Sequence, residues 1–334
     1  MYEANSAAKA IRNSGCFMDF KLYKTYNSKM AKLTPLSALW INVVLSSFVP
    51  ILGFFAAGRV SPPLFALSGS ALGFAAFLPW AIKNKAFPVY FRRGLWPRLL
   101  AVGFFGSALP IAALVLALNY TTPANAAILG QVEAVYTIIL SRLILKEKIS
   151  LRQLSGTALV LAGATLIAFK ERFTMRWTGD LIVLAVPLFY QISHLFSKKL
   201  PQELSHVFVA SARTLFAALG ILPVFALGFV MPVAYFESSL KLAAIVLIWG
   251  LILTAFNNIL WYKAILNMDL SKATAIVLCY PVLTALLSAG LGIEKLQAYQ
   301  LIGLCLSLSG AYWVTLLVRE QRGGAAKYPV NCDR

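Results

Sequence analysis

Charge is what this sequence has least of. Asp and Glu together number only 12 in 334 residues, and all charged residues make up 13% of the chain. A soluble domain carries about a quarter, so a water-facing surface around a core of this size is excluded. Histidine is almost missing: the only two, His194 and His206, flank one short loop, and no GxSxG elbow accompanies them. "GSALG" in the second apolar run sets its serine in the wrong place, so acyl-transfer or rhomboid-type enzyme chemistry is not expected. The phosphate-cradling GxxxxGK[ST] is absent, which excludes ATP-driven transport and leaves no cofactor implied. Four cysteines, Cys16, Cys279, Cys305 and Cys332, show no ligand spacing, so neither a metal site nor a disulfide framework is expected. The first 35 residues lack the apolar segment of a cleaved signal, so the first span is expected to direct insertion, and Met30 offers an alternative start.

What is present is apolar sequence in long runs. Hydrophobic residues make up 60% of the chain and mean hydropathy is +0.76, as expected for an integral, multi-pass membrane protein. Runs of about 20 residues, enough to cross the hydrocarbon core, place ten spans at 36–57, 63–82, 99–118, 122–145, 151–169, 179–196, 206–229, 241–262, 271–289 and 297–317. With an even number of spans both ends share a face. That face receives 23 of the 30 Lys and Arg residues and the opposite face 6, Arg213 being inside a span. The positive-inside rule makes both termini cytoplasmic. The +18 formal charge therefore reports orientation in a lipid bilayer, in a bacterial inner membrane by expectation, and no nucleic-acid partner. The sequon Asn119-Tyr120-Thr121 falls on the outer face, in a loop too short to favour glycosylation.

A shift of 147 residues lays "VYTIILSRLILKEKISLRQLSGTALVLAG" (135–163) over "VLTALLSAGLGIEKLQAYQLIGLCLSLSG" (282–310) without a gap, with 12 of 29 positions identical. The informative identities are Glu147/Glu294, Lys148/Lys295, Gly156/Gly303 and Gly163/Gly310. The offset contains five spans. An odd number inverts the second half relative to the first, giving the inverted repeat of secondary transporters, whose substrate site lies near the midplane. The expected fold is an all-α integral membrane protein of ten transmembrane helices as two inverted five-helix repeats. Its expected divisions are a polar tail over 1–35, repeats over 36–169 and 170–317, and a tail over 318–334.

Five-plus-five spans, with "ALNYTTPANAAIL" leading into "LILKEKISLRQLSGTALVLAG" and "ILNMDLSKATAIVLCYPVLTALLS" into "GIEKLQAYQLIGLCLSLSG", resemble the EamA family of the drug/metabolite transporter superfamily. The resemblance covers Leu36 to Leu317. It implies a carrier with cytoplasmic termini and a central cavity, moving small metabolites, often amino acids or related compounds outward, by alternating access. One departure stands out. The family usually carries proline in both the fourth and ninth spans; here the ninth keeps Pro281 after Tyr280, whereas the fourth has Ala134 after Glu133. Glu133 and Tyr280 are 147 apart and so occupy the same position of the two repeats.

Glu133 lies roughly 18 Å deep by the helical rise, too far for its carboxyl to reach water along the helix, at a cost of several kcal/mol unless a partner or cavity receives it. The structural alternative is a protonated carboxyl bonded to a neighbouring helix; the functional one is a substrate and proton site. Tyr136 shares its face one turn on, while Gln131 points about 200° away. Arg213, about 10 Å inside its span, either snorkels or faces Glu133 or a substrate carboxylate through its planar fork. Pro187, Tyr190, Gln191, His194 and Lys198 form a polar stripe on the sixth span, expected to line an inward-open vestibule with His194 solvated. Asn257 and Asn258 divide between helix packing and the cavity. The candidate substrate site is thus Glu133, Tyr136, Tyr280, Arg213, Asn257, Tyr190 and Gln191. The Glu-Lys turns are expected to serve turn and cap chemistry, and Gly69 to Gly73 close helix packing, within the chain or across a homodimer. The rival to a small-molecule carrier is a flippase of a lipid-linked substrate on the same fold.

Overall fold

The computed structural model describes residues 33–56, 59–118, 120–121, 129–168, 176–201, 203–226, 236–292 and 298–327. The Asn119 sequon position, the second Glu-Lys turn, Met30 and both tails up to 32 and beyond 327 lie outside the described residues. Within them the regular structure is helical, apart from a single antiparallel bridge between Val60 and Phe236.

Helix α1 (Pro35–Ser46) opens where sequence chemistry predicts. Thr34 is extended, its hydroxyl accepts the Ser37 N–H at 3.1 Å, and Pro35 at the first helical position needs no partner. The chain continues through α2 (Phe48–Ala56), α3 (Pro62–Lys83), the short α4 (Phe87–Tyr90), α5 (Trp96–Gly103) and α6 (Leu109–Leu118), then α7 (Glu133–Leu143) and α8 (Leu151–Ala168). The second half has α9 (Trp177–Lys198), α10 (His206–Ala226), α11 (Leu240–Ile248), α12 (Asn257–Ile265), α13 (Leu270–Val277), α14 (Tyr280–Gly290) and α15 (Ala298–Lys327). Among the described residues, seven helical stretches are long and apolar enough to cross a membrane. These coincide with seven of the ten expected spans. The other three expected spans fall on α5 to α6, α7 and α8, which are helical but not among those seven.

The 147-residue register extends well beyond the stretch in which it was first visible. Gly103 and Gly250 occupy matching positions, Gly103 directly before one π-helix and Gly250 inside the other: Phe104–Ala108 joins α5 to α6, and Trp249–Phe256 joins α11 to α12. Tertiary contacts obey the same register. A methyl group on Gly310 would stand 2.5 Å from the Gly156 carbonyl oxygen and 2.7 Å from the Val160 nitrogen; one on Gly163 would collide with the Gly303 carbonyl oxygen and the Ser307 nitrogen. Each contact becomes the other when every residue is exchanged for its mate 147 positions away. Small residues let α8 and α15 touch backbone to backbone, the way helices associate where lipid supplies no hydrophobic drive.

Polar contacts gather the loops at two ends. At one end the Lys198 ammonium donates to the Met268 carbonyl, Lys272 pairs with Asp269 at 2.7 Å, and Glu147 meets Leu270 and Ser271. At the other, Arg59 faces Glu237 at 3.8 Å, and Asp180 accepts from the Thr121 hydroxyl and the Arg176 N–H. Those are the two sets of loops that the Lys and Arg count separates.

Candidate substrate and coupling site

The fourth span is not the unbroken helix that its hydropathy suggests. Gln131 and Val132 form a turn, and α7 begins at Glu133. The correction repeats in the second half, where Leu278 and Cys279 form a turn and α14 begins at Tyr280. Even the hydrogen bonds match: Val132 N–H reaches the Leu129 carbonyl at 3.1 Å, and its mate Cys279 N–H reaches the Ile276 carbonyl at 3.2 Å. In both places a three-residue step replaces the four-residue step of the α-helix. In α14 the cause is legible, because Pro281 lacks the N–H that would return to the Val277 carbonyl four residues back. In α7 no proline stands there; Gly130, where an added methyl would meet nothing within 4 Å, supplies the weak point instead.

The break puts Glu133 and Tyr280 each at the first position of a helix. At that position the N–H groups and the positive end of the dipole favour a negative group. Gln191 Nε2 donates to Glu133 Oε1 at 2.9 Å, so the sixth-span stripe meets the fourth-span carboxyl. Tyr190, Tyr280 and Arg213 all lie within electrostatic reach of Glu133. The structure therefore brings together five of the seven expected site residues. Tyr136 stands half-buried one turn along α7 with no contact to Glu133 among the described interactions.

Arg213 does not snorkel. Its Nη2 donates to the Gly106 carbonyl at 2.6 Å, Nη1 reaches the Tyr262 hydroxyl at 3.4 Å, and the guanidinium lies over the Tyr262 ring at 5.9 Å. The reason is again a proline. Pro110, four residues after Gly106, has no N–H to return to that carbonyl, and the π turn at Phe104–Ala108 opens around it. Glycine at 106 leaves room for this contact, since a methyl there would stand 2.6 Å from Ser193 Oγ and 3.2 Å from Arg213 Nε. A proline four residues after a glycine inside a span is the signal that could have found this carbonyl in the sequence.

The expectation of a solvated vestibule is overturned. His194 is 5% exposed, packed against Trp261 with ring centroids 5.1 Å apart, Gln191 on the same stripe is fully buried, and so is Ser197 beside it. Gln191 Oε1, His194 Nδ1, Trp261 Nε1 and Arg213 Nε have no hydrogen-bond partner among the described residues. Four unspent polar atoms around one acid and one cation, with no ion pair between Glu133 and Arg213 within 4 Å among the described residues, leave capacity for a polar guest.

Asn257 sits apart from this cluster. The Asn42 amide donates to Asn257 Oδ1 at 2.7 Å and to its carbonyl at 3.1 Å, and the Asn257 amide donates to Ser46 Oγ at 3.1 Å. This clasp joins α1 to α12. Asn42→Ala is therefore expected to lower the stability of the detergent-solubilised protein by about 1 to 2 kcal/mol, read as thermal unfolding, with substrate preference unchanged.

The family model described as the EamA-like transporter family matches the chain twice, over residues 33–169 and 177–316. This chain belongs to the EamA-like transporter family. Two consecutive matches separate at the boundary between α8 and α9, where the 147-residue register also divides the chain. An uncharacterized transporter of Archaeoglobus fulgidus is 27% identical over 240 residues, covering 68% of this chain and 81% of its own. The uncharacterized transporter YetK of Bacillus subtilis is 25% identical, with 71% and 73% covered. A protein of Streptantibioticus cattleyicolor, named a probable terminal-alkyne amino-acid exporter, is 27% identical over 296 residues, with 86% and 95% covered. A solved crystal structure shares the fold at a TM-score of 0.70 and 19% identity, covering 85% of this chain and 98% of its own. The EamA chain is thus a membrane-spanning transporter.

Proposed function

We propose that this EamA protein is a secondary carrier that exports small polar metabolites, amino acids or related compounds, by alternating access around Glu133. In this reading ten spans form two inverted five-helix repeats, residues 36–169 and 170–317, with both termini in the cytoplasm of a cell whose plasma membrane holds the protein. The observation that carries it is the pair of helix breaks at Glu133 and Tyr280, 147 residues apart and opening on one electrostatic cluster. Broken helices at matching positions of two repeats are where secondary transporters bind their cargo, because the freed backbone groups and helix ends supply polar contacts inside the membrane. The name of the Streptantibioticus relative supports the substrate class.

A carboxyl among tyrosines, with Gln191 as its bonded neighbour, suits a role in which substrate ammonium and proton compete for the same oxygen pair. Arg213, held among the described residues by neutral partners, suits the carboxylate end of the same solute. The test is uptake by proteoliposomes of a panel of amino acids, amines and lipid-linked sugars, with and without an imposed pH gradient. Accumulation of a small zwitterion that rises with the gradient is expected. Movement of the lipid-linked sugars alone would replace this reading with a flippase.

A further inference from the structure

The first Glu-Lys turn does more than reverse the chain. Lys146 takes a left-handed backbone, φ 57°, and the Glu147 N–H returns to the Ser141 carbonyl at 3.1 Å, closing the helix end one residue wider than the usual left-handed cap. That geometry aims Glu147 away from its own helix. Its Oε1 accepts the Leu270 N–H at 2.6 Å; its Oε2 accepts the Ser271 N–H at 3.0 Å and the Ser271 hydroxyl at 2.6 Å. Gln153 of α8 donates to the same hydroxyl at 2.9 Å.

A helix usually takes its cap from the residue that precedes it. Asp269 occupies that position before α13 and makes no side-chain cap; its carboxylate is paired with Lys272 instead. The cap of α13 comes from 123 residues away, across the boundary between the two family matches. The contact therefore ties the end of α7, which begins with Glu133, to the start of the broken span that leads into Tyr280. A tie of this kind can be released without unravelling either helix, because each helix keeps its own backbone bonds. Behind it Gln191, His194 and Ser197 of α9 are closed from solvent.

We propose that Glu147 is the latch of the cytoplasmic mouth: its three charge-assisted bonds hold α7 and α13 together while that side is shut, and must break once in each transport cycle. The proposal rests on the transporter reading for its orientation, and its test needs no transport. Ser197, one turn beyond His194 toward the mouth, is replaced by cysteine in a chain whose four native cysteines are replaced by serine. The protein is reconstituted and labelled from either face with a membrane-impermeant maleimide. Glu147→Gln is expected to raise the labelling rate from the cytoplasmic face about tenfold, and Ser271→Ala about threefold, with no rise from the outer face. Unchanged labelling in a folded Glu147→Gln protein, or in Ser271→Ala if the former does not fold, overturns the latch. Labelling that rises in a protein that carries no solute in the uptake panel keeps the latch and removes the carrier.

Discussion

Glu133→Gln is expected to reduce gradient-driven uptake about a hundredfold, equivalent to roughly 3 kcal/mol of lost coupling, while the protein inserts and folds as before. The expectation follows from what the replacement keeps. An amide is nearly the size of a carboxyl, and its carbonyl oxygen can still accept from Gln191 Nε2, a bond of 2.9 Å in the native protein. The first turn of α7 loses the negative group favoured by its dipole, worth about 0.3 to 1 kcal/mol, too little to unfold a chain of this size. What disappears is the ability to take up and release a proton. Coupled uptake and substrate exchange are therefore predicted to separate: exchange of labelled for unlabelled solute across the membrane, which needs no net proton movement, is expected to persist at a measurable rate. A variant that concentrates solute against a gradient as the wild type does would make Glu133 a structural residue. Equal loss of both activities in a well-folded protein would instead make it a binding residue without a coupling role.

The sequence and the structure agree where physical signals are long and fail to meet where they are local. Hydropathy over 20 residues locates helices whatever surrounds them, so seven expected spans reappear as long apolar helices. The register of 147 was legible because small residues mark the close crossing; Gly156, Gly163 and Gly310 hold it for a steric reason. Glu133 stood out by the cost of a carboxyl in an apolar run. The break before it did not, since hydropathy is blind to one turn of altered hydrogen bonding, and only Pro281 in the mate gave notice of it. Gln191 and Tyr190 could be placed on a face by periodicity but not assigned to Glu133, because periodicity says which face is polar and never which helix it meets. For the same reason His194 was expected in water and is found against Trp261. Asn257 illustrates the remaining gap: its partner Asn42 is 215 positions away, and no spacing rule connects them.

Gly163→Ala and Gly310→Ala are expected to destabilise the protein by nearly equal amounts, about 3 kcal/mol each, although the two residues lie in different halves of the chain. At Gly163 the added methyl meets the Gly303 carbonyl oxygen and the Ser307 nitrogen; at Gly310 it meets the Gly156 carbonyl oxygen at 2.5 Å and the Val160 nitrogen at 2.7 Å. All four obstacles are backbone atoms of helices, so no side chain can swing aside and α8 must part from α15. Parting them also removes the attractive contacts that close packing provides in lipid. The control is Gly53→Ala in α2, where nothing lies within 4 Å of the new methyl and a gain of about 0.5 kcal/mol is expected from the better helix former. Thermal unfolding in detergent measures all three. Equal losses at Gly163 and Gly310 are what a two-fold relation between the repeats demands, because the two glycines are repeat mates and press on Gly303 and Gly156, which are mates in turn. A difference of more than about 2 kcal/mol, the scatter expected for one class of substitution at unlike sites, would mean that the halves share a register without sharing a packing geometry. Exchange of roles between them, the basis of alternating access, would then lose its structural ground.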